Sequence, residues 1–153
     1  MKKLFYLFLL LPFSLFSCSD DKGLSPVDMT LTLGGVTQNN DVFYTVAGET
    51  VTIENLSVKS VDNKNTAVTN VMFYLNGVPL FANPQDNFNI SFSTENIPAG
   101  TYPLEITGNL LQVDASIKVF AVPYTLTIVD DAEALPSGSP EIGSYSQTIR
   151  LTE

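Results

Sequence analysis

The chain of 153 residues is 44% hydrophobic and 15% charged, with 16 acidic against 7 basic residues, one cysteine, no histidine and no tryptophan. That length suits one domain of roughly 100–150 residues, and a net charge of −9 with no basic run argues against nucleic acid as a partner. Without histidine there is no imidazole base, nucleophile pair or imidazole metal ligand, and one cysteine makes neither an internal disulfide nor a zinc cage.

Lys2 and Lys3 precede an apolar run from Leu4 to Phe16 that is broken only by Ser14. A bilayer span needs about 20 apolar residues, so this run of 13 reads as the h-region of a signal peptide over residues 1–17. A cut before Cys18 puts Ser17 at −1 but bulky Leu15 at −3, which suits ordinary secretory cleavage poorly. Leu15-Phe16-Ser17-Cys18 instead resembles the lipobox of bacterial lipoproteins of the Bacteroides type, although Phe16 is larger than the usual −2 residue. The resemblance implies a diacylglyceryl thioether on Cys18, cleavage after Ser17, and acylation of the new amine by a chain such as palmitate. It makes the outer membrane a partner through the lipid. A thiol fits because its thiolate alkylates readily, and each buried methylene contributes about 0.8 kcal/mol to anchorage. The alternative is cleavage after Ser19, with Ser17 and Ser19 at −3 and −1, which discards the cysteine.

Loss of residues 1–17 leaves 5 basic and 16 acidic groups. Ser19-Asp20-Asp21-Lys22 resembles the acidic stretch that marks lipoproteins for the cell exterior. A solvated tether that stays clear of anionic headgroups explains it as well. Residues 18–27 carry Gly23 and Pro26 without apolar periodicity and are expected to be a flexible, acidic tether.

Beyond the tether, period-two alternation recurs between Gly, Asn and Pro punctuation. Met29, Leu31 and Leu33 predict a strand stopped by Gly34-Gly35, and Val42, Tyr44 and Val46 predict another that ends at the turn Ala47-Gly48-Glu49. Val51 and Ile53 continue past a bulge near Asn55 toward Val58 and Val61. The apolar run Val71–Leu75 predicts a mid-sheet strand, with Asn76-Gly77 as the type I′ turn that pairs Val78 to Phe81 back on it. Phe88, Ile90 and Phe92 form a strand with one wet face, and Tyr102, Leu104 and Ile106 follow Pro98-Ala99-Gly100. The last core strand is expected from Val113 through Ile117 and Val119, interrupted at Pro123 and resumed through Leu126 and Ile128. Pro79, Pro103 and Pro123 lack ladder donors and belong at edges, bulges or bends. Residues 131–153 read as a linker followed by a weak extra edge strand over Tyr145–Leu151, or else a disordered end.

Seven to nine strands without a helix between them predict an all-β, Greek-key β-sandwich. Val71–Gly77, Phe88–Phe92 and Ile97-Pro98-Ala99-Gly100-Thr101-Tyr102-Pro103-Leu104 resemble the C, E and F strands of bacterial Ig-like modules, over residues 28–130. The resemblance implies an Ig-like fold, with Tyr102 at a corner where its hydroxyl bonds to nearby backbone. With no disulfide or tryptophan, Phe73, Phe88, Phe92 and Ile117 are expected to hold the two sheets together.

The chemistry is sparse. Glu49, Glu54, Asp86, Glu95 and Glu105 supply carboxylates, but Glu54 and Glu105 fall on wet strand positions, where they keep a surface soluble. The expectation is therefore a protein that is not an enzyme and carries no cofactor besides the lipid. Asp130, Asp131 and Glu133 place three carboxylates in four residues and form a weak calcium candidate, with a solvated linker as the other reading. Aromatic and amide clusters at Phe81, Asn83, Gln85 and Asp86, and at Phe43 and Asn40, are the candidate surfaces for a glycan or protein ligand. Core packing is the alternative for each ring. The expected function is a surface binding or adhesion module. The alternative is a structural subunit of an envelope or pilus assembly joined by β-strand addition.

Overall fold

The computed structural model describes residues 23–80 and 90–152. Those residues form nine strands and one three-residue 3-10 turn, with no α-helix among them. The strands are β1 (Val27–Asn39), β2 (Val42–Val46), β3 (Thr50–Ser60), β4 (Thr66–Leu75), β5 (Val78–Leu80), β6 (Ile90–Ser93), β7 (Gly100–Gln112), β8 (Lys118–Val129) and β9 (Gly143–Leu151), with the 3-10 turn at Ala132–Ala134. Their hydrogen-bonded order is β5-β4-β7-β8-β2-β1-β3-β6, with β9 added on β1. The sheet is nearly closed, and its two ends, β5 and β6, are consecutive in the chain. All pairings are antiparallel except that of β2 with β8.

β1 makes this closure possible. Its first half, with Val27, Met29, Leu31 and Leu33 facing inward, lies between β3 and β9, whereas Thr37 to Asn39 pair with β2. The expected stop at Gly34-Gly35 is therefore a bend. Gly35 takes φ +75°, and a side chain there would collide with the Thr50 carbonyl, so glycine lets one strand leave one layer and join the other. The strand then ends in a two-residue turn at Asn40 and Asp41, both with positive φ.

β3 carries its extra residue at Glu54, between the pairs Thr32↔Asn55 and Leu33↔Ile53, as the Asn55 bulge predicted. It ends at Ser60, so Val61 lies in a turn. β4 begins at Thr66, five residues before the expected start, and is irregular near Asn70 (φ +52°). Asn76-Gly77 makes the predicted hairpin, with φ of +49° and +77°. β6 alternates as expected, with Ile90 inward and Ser91 and Ser93 wet.

β8 departs from expectation. Its inward residues are Phe120, Val122, Tyr124, Leu126 and Ile128. β7 runs to Gln112, and the chain then turns through Asp114 (φ +63°). That leaves Ile117 in the turn at 65% exposure and puts Val119 on the outer face at 81%. Ile117 is thus not a core residue. Phe73 is buried and Phe92 packs against the core, while Phe88 lies outside the described residues. Phe43 and Tyr124 fill the core instead, with ring centroids 6.5 Å apart.

The prolines sit where no donor is needed. Pro79 is on edge strand β5. Pro103 lies past the last β4 pair, Leu75↔Leu104. Pro123 does not interrupt β8; it precedes Leu126, where pairing with β2 begins.

Segments on both sides of residues 28–130 are tied into the fold. Val27 is fully buried in β1, and the Ser25 N–H donates to Gln112 Oε1 at 2.8 Å, so the chain joins the fold before residue 27. The C-terminal segment is an edge strand along β1, from Val27↔Leu151 to Val36↔Gly143. The stretch before it is also tied down: Thr37 Oγ1 donates to the Pro140 carbonyl at 2.6 Å.

Candidate functional site

The seam between β5 and β6 holds a hollow of about 490 Å³, lined by Leu75, Val78, Leu80, Phe92, Ile97, Pro98 and Tyr102, with Asn76, Ser93 and Asn96 as its amide and hydroxyl members. Local sequence builds both walls. The Asn76-Gly77 turn projects Val78, which is 63% exposed. On the other wall, buried Thr94 ties the β6–β7 connection to the β2–β3 turn: its N–H and Oγ1 both reach the Glu49 carbonyl at 2.9 Å. Ile97 N–H then donates to Thr94 at 3.0 Å, and the Tyr102 hydroxyl donates to the Pro98 carbonyl at 2.7 Å, as the corner reading of Tyr102 predicted. The described lining has no carboxylate or amine. It offers apolar contact area and a few amide hydrogen bonds.

The predicted ligand residues are not brought together at this hollow. Phe81, Asn83, Gln85 and Asp86 belong to the segment between β5 and β6 and lie outside the described residues. Phe43 is not a surface ring: it is fully buried against Tyr124. The alternation of β2 points Phe43 and Thr45 inward. Asn40 is exposed, and its positive φ identifies it as a hairpin residue. Cys18 and the signal segment also lie outside the described residues.

Asp130, Asp131 and Glu133 are exposed where β8 ends. Asp131 caps the 3-10 turn, its Oδ1 accepting from the Glu133 and Ala134 N–H groups at 3.0 Å each. Among the described residues no three metal-ligating side chains gather as a cation site. Of the strand carboxylates, Glu54 accepts from Ser144 Oγ at 2.8 Å, a contact that steadies β9.

Several buried polar groups left no signal in the sequence because each depends on strand neighbours far along the chain. Gln112 Nε2 reaches Thr66 Oγ1 at 3.3 Å, completing the Ser25 contact above. The Tyr124 hydroxyl donates to the Met29 carbonyl at 3.0 Å, joining the layers, and burial pushes its phenol well above the usual range. On the surface, Arg150 forms a fork with Asp28, Nε to Oδ1 at 2.7 Å and Nη2 to Oδ2 at 3.0 Å, and this bond holds the carboxyl below its ordinary range.

No protein-family model matches the chain, and no curated protein matches it either.

Proposed function

We propose that this chain is a non-catalytic lipoprotein of the outer membrane, anchored through acyl chains on Cys18 and facing the exterior. Its Ig-like sandwich would serve as a binding or adhesion module. The observation that carries the binding reading is the seam itself, an apolar hollow where an otherwise nearly closed sheet stays open. Its lining favours apolar side chains of a protein over a sugar. The Ig-like reading is supported by the division of strands, β1, β3 and β6 in one layer and β4, β7 and β8 in the other, which parallels A-B-E against C-F-G. The h-region and lipobox support the anchor.

A second reading rests on β9. Among the described residues it pairs only with β1, which leaves its other edge free to take a strand from a partner, as a structural subunit joined by β-addition would.

Protease treatment of intact and lysed cells tests placement: loss from intact cells is expected, and protection until lysis counts against an outward face. Val78→Glu tests the seam. Attachment to immobilised proteins or glycans should fall at least tenfold with the melting midpoint unchanged, because Val78 is largely exposed. Undiminished attachment counts against the groove, and a stoichiometric partner retained by this variant favours the β9 edge.

A further inference from the structure

The end of the domain where the chain enters differs in charge and surface from all the rest. Residues 24–26, the β3–β4 turn, the β7–β8 turn and the end of β9 lie together there. Val61 N–H donates to Pro26, Val113 N–H donates to Asn65, and Leu24, Val119 and Leu151 share one hollow of about 360 Å³. Every described cation is at this end: Lys59, Lys64, Lys118 and Arg150, beside three carboxylates, Asp28, Asp62 and Asp114. The remaining described surface has nine carboxylates and no cation. Four exposed large apolar residues, Val61 (44%), Val113 (52%), Ile117 (65%) and Val119 (81%), cluster at the same end.

We propose that this entry end rests on the anionic headgroup layer of the membrane, with Val113, Ile117 and Val119 at the interface and Lys59, Lys64 and Lys118 facing lipid phosphates. This inference rests on the lipid-anchor reading of Cys18. Given that anchor, five residue steps from Cys18 to Gly23 reach at most about 18 Å, whereas a strand as long as β7 runs roughly 40 Å. The tether therefore keeps the entry end near the bilayer. The charge distribution sets the orientation, because an anionic surface repels the carboxylate-rich remainder and tolerates or attracts this end. Exposed branched aliphatics beside lysines suit an interface where apolar groups enter and ammonium groups stay at the phosphates. Arg150 is already held by Asp28, so the lysines carry the attraction.

The test uses the mature, lipid-bearing chain in vesicles of phosphatidylcholine and phosphatidylglycerol at about 7:3. An environment-sensitive dye is placed on Ile117→Cys, on Val113→Cys as a second probe, or on exposed Glu133→Cys at the far side, and quenching by spin-labelled lipid is read. Quenching at 113 and 117 should exceed that at 133 at least fivefold. It should fall at least threefold in 1 M salt or in the combined variant Lys59→Glu, Lys64→Glu, Lys118→Glu. Equal or absent quenching at all three positions, with the protein still on the vesicles, overturns the docking while leaving the anchor intact. A mature mass without acyl chains and a protein that stays in the aqueous fraction overturn the anchor and the docking together.

Discussion

Two strands of this fold open with the same device and come to very different standing. β7 begins Gly100-Thr101-Tyr102 and β9 begins Gly143-Ser144-Tyr145. In each, the tyrosine hydroxyl donates at 2.7 Å to the carbonyl four residues back, Pro98 in one case and Glu141 in the other. Beyond that point the strands diverge. β7 has β4 and β8 on either side and buries Leu104, Ile106 and Leu110. Among the described residues β9 pairs only with β1, its Tyr145, Ile149 and Leu151 are partly buried, and no described group donates to the Oε1 of its inward Gln147. The corner is thus a property of a few consecutive residues, whereas the worth of the strand is set by what it meets.

The comparison breaks if the two strands respond alike to truncation. Leu104→Ala should cost about 2–5 kcal/mol in urea unfolding, because Leu104 is fully buried. Ile149→Ala should cost roughly 1 kcal/mol, since only part of its surface leaves water. Equal losses would mean that β9 belongs to the central core.

Tyr124→Phe tests the strand on which β9 leans, by removing the hydroxyl that joins β8 to β1. About 1 kcal/mol should be lost at neutral pH. The phenol's folded pKa is raised above its unfolded value, so the protonated native form is favoured below about pH 10. That advantage declines as pH rises further. Alkaline unfolding should therefore set in earlier for wild type than for the phenylalanine variant, relative to each protein's own neutral stability.

Tyr102→Phe and Tyr145→Phe sharpen the comparison from the other side. Each removes one corner hydrogen bond, and each midpoint should move by an equivalent of about 0.5–1 kcal/mol. A much larger loss for Tyr102 would show that the corner draws its strength from the surrounding sheet after all. The smallest effect is expected at Gln147→Leu. It should be neutral or slightly stabilising, because it removes a buried oxygen to which no described group donates. Clear destabilisation would reveal an unrecognised partner for that amide.

The sequence made most of the strands readable because turns are local chemistry. Asn76-Gly77, Gly48 and the Pro98–Tyr102 corner each act through a few neighbouring residues. What stayed hidden was phase and partnership. Ile117 and Val119 look like core until Asp114 turns the chain and Phe120 takes the inward position. Phe43 looks like a surface aromatic until β2 is laid against β8. Tyr145 shares the pattern of Tyr102, but nothing near it names β1 as its partner. The seam was out of reach for the same reason: it exists only because β5 and β6 are the two ends of a sheet that β4, β7, β8, β2, β1 and β3 together bring round.

The pairing of β9 with β1 also fixes the order in which the molecule can be completed. Asp28 and Arg150 are 122 positions apart, yet they face one another across adjacent strands. One side of β1 therefore stays an open edge until residues 143–151 have emerged. Contacts between such distant residues form slowly, so the finished protein is an event of the whole chain. A chain that stops before residue 143 lacks the strand that covers residues 27–36.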